Sequence, residues 1–422
     1  MERIESLSLL KSGRDWLYFL LFASLVATFS LLFSYQRYLD FRTFDSYTLE
    51  GIVTQQAQLL SKEQMPFWRL SLDTPSMRVT TLSFLPLGDL VGQKVRITID
   101  TDTTSFIDYL THTFAQSDLV ALLPHRSLQW HLIDATHAQH SHPLMQNLYG
   151  ALFFLEPISP HLRTILTTLG VNHLAALSGY HLGFLATLLW GVLWLVYKPL
   201  HRRFWPYRLY HRDAMFFIIV VLWGYIHLLG YSPSLVRAFG MLIVGFVLYD
   251  RGLKLVSFSM LSVTVLLLLA LFPSLLFSIA FWLSALGVWG IFMLLHLMPH
   301  AKAWQLFLAI NIALFFLLTP LGVGYFGQIS LWQWASIPLS MLFGIFYPLA
   351  MGLHALGWGE WLDGVVLALF EIPMKSATLA LNGYYISLYL ALLLASALHR
   401  WLMLFALVAG TLLTCSFYYK LL

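Results

Sequence analysis

The run Gly170-Val171-Asn172-His173-Leu174-Ala175-Ala176-Leu177-Ser178-Gly179-Tyr180-His181 puts two imidazoles, a hydroxyl and two glycines at the start of an apolar stretch that continues to Tyr197. Such groups donate to and accept from polar substrates. Hydrocarbon offers them no partner, so in a membrane segment each must find one or reach water. Polar residues at that depth mark a pathway or a site. The competing reading is a helix cap at the interface, with Asn172 or Ser178 serving the backbone.

Arg237 is the second feature of weight. The sequence from Gly230 to Met241 joins a tight turn to an apolar helix with an arginine near its outer end. Pro233 suits the first turn and Ser232 the N-cap. A buried arginine at a helix centre costs roughly 2.5–3.5 kcal/mol, and less near the interface. Its planar fork could grip a phosphate through two hydrogen bonds. Snorkelling to the interface accounts for it equally well.

Other clusters are weaker. His137, His140 and His142 could bind zinc or copper. No cysteine or carboxylate lies within two positions, however, and Pro143 follows, so a solvated loop is expected. Cys415 is the only cysteine, which excludes an intramolecular disulfide or a cysteine-cluster metal site. No Gly-x-x-x-x-Gly-Lys phosphate loop is present. No catalytic residue, metal or cofactor is therefore expected, and the chain is not read as an enzyme.

The elements that must position these residues follow from composition. Hydrophobic residues make up 59% of the chain and charged ones 10%. Soluble domains carry about 25% charged residues, so a polytopic α-helical membrane protein is expected. Residues 1–45 read as a cytoplasmic N-terminus and an uncleaved anchor over 16–35. Arg3, Lys11 and Arg14 precede the anchor and argue for a cytoplasmic start. Residues 46–100 read as a small extracytoplasmic all-β domain, OB-like in length. Trp68, Leu70 and Leu72 alternate there with Phe67, Arg69 and Ser71, and Val95, Ile97 and Ile99 with Arg96, Thr98 and Asp100. Its charges balance, so a basic footprint for nucleic acid is absent. Phe67, Trp68 and Phe84 could stack on bases, though core packing serves them as well. Residues 101–169 form a histidine-rich linker with helices, interrupted at Pro157 and Pro160.

Residues 170–422 read as a polytopic domain. Spans are expected near 174–197, 214–231, 235–249, 255–272, 275–298 and 304–321, with further apolar stretches near 331–353, 376–398 and 401–419. The connector after the first of them holds Lys198, Arg202, Arg203, Arg208 and Arg212 against one acid, a positive-inside mark. It places residues 46–161 outside. Simple alternation does not then bring His399-Arg400 to the cytoplasm unless 363–375 crosses or some segment re-enters. The glycine-rich 322–328 is expected to break its helix, and 362–373 to lie along the surface.

These blocks resemble those of ComEC-type competence proteins, the inner-membrane channels of bacterial natural transformation. Gly170, His173, Ala176, Ser178, Gly179 and His181 match that family's Gly-x-x-His-x-x-Ala-x-Ser-Gly-x-His signature. Gly230, Ser234, Arg237 and Ala238 match its Gly-x-x-x-Ser-x-x-Arg-Ala turn. Two weaker echoes follow, Phe272-Pro273 with Phe281-Trp282-Leu283-Ser284, and Phe326-Gly327 with Ile337-Pro338. Where the family has Asn shortly before that last proline, this chain has Trp334-Ala335-Ser336. Many members carry a metallo-β-lactamase-like nuclease domain. No His-x-His-x-Asp-His run occurs here, so the chain looks like a short form without it.

The resemblance implies an inner-membrane channel passing single-stranded DNA into the cytoplasm. His173, Ser178, Gly179, His181, Ser234 and Arg237 would form the path near its outer end. Arg202, Arg203, Arg208 and Arg212 would receive phosphates at the cytoplasmic exit, though they serve topology equally well. The implied partners are single-stranded DNA, the lipid bilayer, a periplasmic DNA receptor, and a separate cytoplasmic motor or single-strand-binding proteins; homo-oligomerisation is compatible with this. A small-solute transporter is the alternative, since broken helices with Gly and Pro suit it. An intramembrane serine protease using Ser178 with His227 or His296 is a third.

Overall fold

An uncharged apolar run becomes the first helix, α1 (Gly13–Phe41). Ser12 caps it. Its hydroxyl accepts from the Asp15 N–H at 3.2 Å, and the Asp15 carboxylate accepts from the Ser12 N–H at 2.9 Å. This reciprocal box satisfies two orphan donors. At 29 residues the helix exceeds the roughly 20 needed to cross a bilayer. The computed structural model describes residues 12–43, 46–60, 66–74, 78–83, 90, 93–101, 104–111, 113–114, 117–123, 128–175, 177, 179–229, 233–250, 258–379, 383–396 and 398–419.

The period-two stretches become β1 (Ser46–Leu60), β2 (Pro66–Asp73), β3 (Arg78–Ser83) and β4 (Lys94–Asp100). After α2 (Phe106–Thr111) come β5 (Thr113–Phe114) and β6 (Ser117–Leu123). The long β1 pairs antiparallel with β2 through one part of its length and with β4 through the other. β3 pairs with β2, and β6 with β4. β5 lies parallel to β3. Strands adjacent in sequence thus take the two outer positions of the sheet, which runs on past residue 100. The alternation sorts the faces as expected: Leu70, Leu72, Val95, Ile97 and Ile99 are buried in one core, with Tyr38 and Phe41 from the end of α1. The Tyr38 hydroxyl donates to the Thr104 carbonyl at 2.9 Å. On the outer face Glu50 bridges Lys94 at 2.8 Å and Arg96 at 2.6 Å, and these cations hold its carboxyl down at about 2.

Residues 12–132 and 266–278 form this unit, and residues 133–265 and 279–422 form a second. Short helices open the second: α3 (Leu128–His137), α4 (Pro143–Phe154), α5 (Pro160–Thr168) and α6 (Asn172–Ala175). Pro143 and Pro160 start helices here, where a missing N–H costs nothing. Long helices follow: α7 (Gly179–Phe204), α8 (Tyr210–Leu228), α9 (Pro233–Asp250), α10 (Phe258–Leu271), α11 (Ile279–Leu297) and α12 (Ala303–Phe326). After the two-residue β7 (Gln328–Ile329) come α13 (Ser336–Ala355) and α14 (Asp363–Phe370). Then β8 (Ala377–Thr378), α15 (Gly383–Ala395) and α16 (Arg400–Tyr419) close the chain's described part. Among the described residues seven helical stretches are long and apolar enough to cross a membrane: α1, α7, α8, α11, α12, residues 331–355 and α16. The chain is a multi-pass membrane protein.

One expectation for the C-terminal half needs correcting. The glycines of 322–328 do not break the helix. α12 runs through Gly322 and Gly324 and ends at Gly327, which adopts φ +67° and donates to Val323 O at 2.8 Å. Gly324 is small because a Cβ there would collide with Ile386 of α15. The ends of the stretch that follows α12 meet. Gln328 pairs with Thr378 and Ile329 with Ala377, while the Ser330 hydroxyl donates to Lys375 O at 2.7 Å. The excursion over 330–376 therefore returns to its own starting point.

Candidate functional site

The first motif block is built on a helix stop. Gly170 ends α5 with φ +71°, the Val171 N–H reaching back to Leu166 O at 2.9 Å and the Gly170 N–H to Thr167 O at 3.0 Å. Only glycine takes that conformation without steric cost. A Cβ would also crowd Gln333 at 3.3 Å. The single turn of α6 then presents His173, exposed, with Nε2 at 3.4 Å from the Ser340 hydroxyl of α13. Ser178 and Ala176 lie outside the described residues.

α7 begins at Gly179, and His181 sits in its first turn with its side chain buried. The imidazole stands edge-on to Tyr347 at 4.6 Å and Phe343 at 5.4 Å, both from α13. Phe343 also meets Tyr180 at 5.7 Å. Phe343 and Tyr347 are one turn apart, so they share a helix face. Their spacing was legible in the sequence; nothing local showed that the face would meet His181.

The second block starts α9. Ser234 and Arg237 occupy its first two turns, and their side chains lie outside the described residues. What is described is that the two blocks meet. Leu177 and Leu182 of the first share one buried core with Leu235 of the second and with Ile218, Leu222, Ile226 and Leu229 from α8 and its end. A Cβ on Gly179 would stand 3.6 Å from Ala238 Cβ, the residue after Arg237. A family profile described as "Competence protein" matches residues 156–420.

The chain belongs to the competence protein family. Its role thus lies in competence and DNA uptake. No curated protein and no solved structure matches it. The matched region takes in both blocks, the basic connector and α13. In this competence protein the four arginines of the α7–α8 connector divide into two pairs. Arg208 is bound to Asp213 at 2.6 Å and Arg212 to Asp250 at 2.7 Å. Arg202 and Arg203 are exposed in the last turn of α7, and Arg203 lies over the Phe204 ring at 5.8 Å. Arg208 closes on Asp213 within the turn, while Arg212 ties the start of α8 to the end of α9; Tyr197 of α7 also donates to Asp213, at 3.3 Å.

The expected solvated histidine loop is the clearest miss. His140 is buried, with Nδ1 at 2.8 Å from Asp363 Oδ2 and Nε2 at 2.8 Å from His354 Nε2. Its partners come from the far side of the chain, 223 and 214 residues away. His137 turns instead to Glu156 at 2.8 Å. Leu155 takes a left-handed φ of 57° between α4 and Glu156, the one described non-glycine residue to do so. The hydrogen bond from Glu156 raises His137 above its ordinary value, against the opposing effect of burial. His142 caps α4, its Nδ1 accepting from the Leu144 N–H at 3.2 Å. The three imidazoles therefore serve three separate partners rather than one ion.

Proposed function

We propose that this competence protein is the channel that passes single-stranded DNA across the inner membrane into the cytoplasm. One observation carries the reading: the two polar blocks, 50 and more residues apart in sequence, are packed together at the starts of α7 and α9. A strand bearing one charge per nucleotide cannot cross hydrocarbon and needs a path lined by donors. His173, Ser178, Gly179, His181, Ser234 and Arg237 supply that path near one end of the helices. Arg202 and Arg203 stand at the opposite end of α7, assisted by Arg208 and Arg212, and receive the emerging phosphates.

Sidedness follows from the basic connector, which keeps the α7–α8 turn in the cytoplasm. The start of α7 and the sheet of β1–β6 are then outside, where an OB-like domain over 46–100, its sheet extended by β5 and β6, and the rest of the linker 101–169 precede the channel domain 170–422. With the ends of 330–376 paired, that stretch returns to the face it left, and α15 then brings His399-Arg400 back to the cytoplasm. Partners on the two faces are a periplasmic DNA receptor and a cytoplasmic motor or single-strand-binding proteins. The test is uptake of labelled duplex DNA by cells lacking the chain. DNA should bind at the surface and fail to enter. Normal internalisation in such cells would end the proposal.

A further inference from the structure

The buried array at His140 carries more than packing. The His354 Nδ1 lies 2.7 Å from the Ala350 carbonyl, which can only accept, so that nitrogen bears a proton. In a neutral His354 the Nε2 is then an acceptor, and it takes the Nε2–H of His140 at 2.8 Å. The Nδ1 of neutral His140 is in turn an acceptor, and its partner at 2.8 Å is Asp363 Oδ2. That gap needs one proton, on the aspartate if His140 is neutral and on Nδ1 if the pair is imidazolium and carboxylate. Asp363 Oδ1 is buried with no hydrogen-bond partner. Leaving a carboxylate oxygen so is costly, whereas the carbonyl oxygen of an acid tolerates it better.

We propose that Asp363 is held as a neutral carboxylic acid at the head of a one-way donor chain, Asp363 to His140 to His354 to Ala350 O, and that this chain is a proton-dependent latch. Three protons fill three gaps. Loss of one to solvent leaves a pair facing lone pair to lone pair; a fourth sets N–H against N–H. The array is whole in one protonation state only.

The surroundings agree. The Tyr149 ring stacks on His140 at 4.6 Å and lies 4.5 Å from His354, and its hydroxyl is buried. Burial raises Asp363 above the usual carboxylate range, and Glu360 from the preceding turn adds to this; His140 and His142 oppose it. The remaining neighbours are neutralised or paired: Glu360 accepts from Ser141 at 2.7 Å, and Glu156 is engaged by His137. Gln139 adds two bonds, accepting from the Gly359 N–H at 3.0 Å and donating to His354 O at 3.3 Å. The latch thus fastens the α3–α4 turn to the end of α13. That same helix presents Phe343 and Tyr347 to His181, so the latch sets the position of the wall beside the first motif.

The test is hydrogen–deuterium exchange of residues 137–142 and 354–363 in the full chain in lipid nanodiscs, corrected for intrinsic exchange, together with infrared spectra. Wild-type protection should fall as pH rises from the ordinary carboxylate value of 3.8 to the acid's raised one, by about tenfold per pH unit for one proton, and level off above it. A protonated carboxyl band should be present at neutral pH and absent in Asp363→Asn. Asn can still donate to His140, so Asp363→Asn should keep protection and lose its pH dependence, while Asp363→Ala should lose protection about tenfold at every pH. Protection in wild type that does not vary with pH would overturn the latch. So would the absence of an acid band assignable to Asp363.

Discussion

Gly179 faces Ala238 across the α7–α9 contact, and a Cβ on the glycine would stand 3.6 Å from that of the alanine. That is ordinary van der Waals spacing, so the site has room for a methyl group, and a longer side chain directed at Ala238 would have to displace it. The pair holds the first turn of α7 against the turn that carries Arg237.

Gly179→Ala should leave DNA uptake within about twofold of wild type. Gly179→Leu should reduce it tenfold or more, because overpacking a tight contact costs about 1–3 kcal/mol. Transformation frequency, normalised to the amount of chain in the membrane, is the measurement. Equal uptake by both variants would show that the α7–α9 contact does not matter.

Arg237 should be sensitive to shape as well as charge. Arg237→Lys keeps the charge but loses the planar fork, and should impair uptake in part. Arg237→Ala should abolish it at normal membrane levels. His173→Ala and His181→Ala should weaken internalisation without changing DNA binding at the cell surface. If both Arg237 variants transform at the wild-type rate, the arginine snorkels and does no more.

Reporter fusions test the topology. An export-dependent reporter at Gly92 should be active, and a cytoplasm-dependent one at Arg208 and at Arg400. The β7–β8 pairing makes a stricter demand: fusions at Gly327 and Leu379 must report the same face. Opposite results at those two positions are incompatible with the pairing.

His137 gives a pH prediction with a definite sign. Its raised pKa comes first from the Glu156 hydrogen bond. The pair therefore stabilises the fold fully below the ordinary histidine value of 6.5, and the contribution is lost as pH rises through the raised one. In Glu156→Gln the attraction is gone and burial is opposed only by Asp134 and Gln146, so the midpoint should fall from its raised value. A histidine NMR titration reads both. No movement on substitution means that Glu156 does not hold the proton.

Much of the fold is decided over short stretches of chain. Spans follow from the length of apolar runs, because lipid accepts nothing else: α8, α9, α11, α12 and α16 fall within a few residues of the expected stretches. The faces of β2 and β4 follow from period two, and the starts of α4 and α5 from His142-Pro143 and Ser159-Pro160. The two motif blocks were also legible, since polar residues in an apolar context are conspicuous one at a time.

Contacts between distant stretches were not legible, since periodicity says which face a helix buries and not against what. Three isolated histidines in a polar stretch read as solvated until Asp363 and His354 arrive from more than 200 residues away. Gly324 reads as a helix breaker until Ile386 packs over it. The aromatic face of α13 has no stated purpose until His181 lies against it, and the parity of the last spans depends on two short strands, β7 and β8, that carry almost no signal of their own. Local composition determines what each segment is, because burial and backbone satisfaction act within a few residues. Which segments meet depends on closing long loops, whose entropy must be outweighed by contacts that exist only once the whole chain is packed.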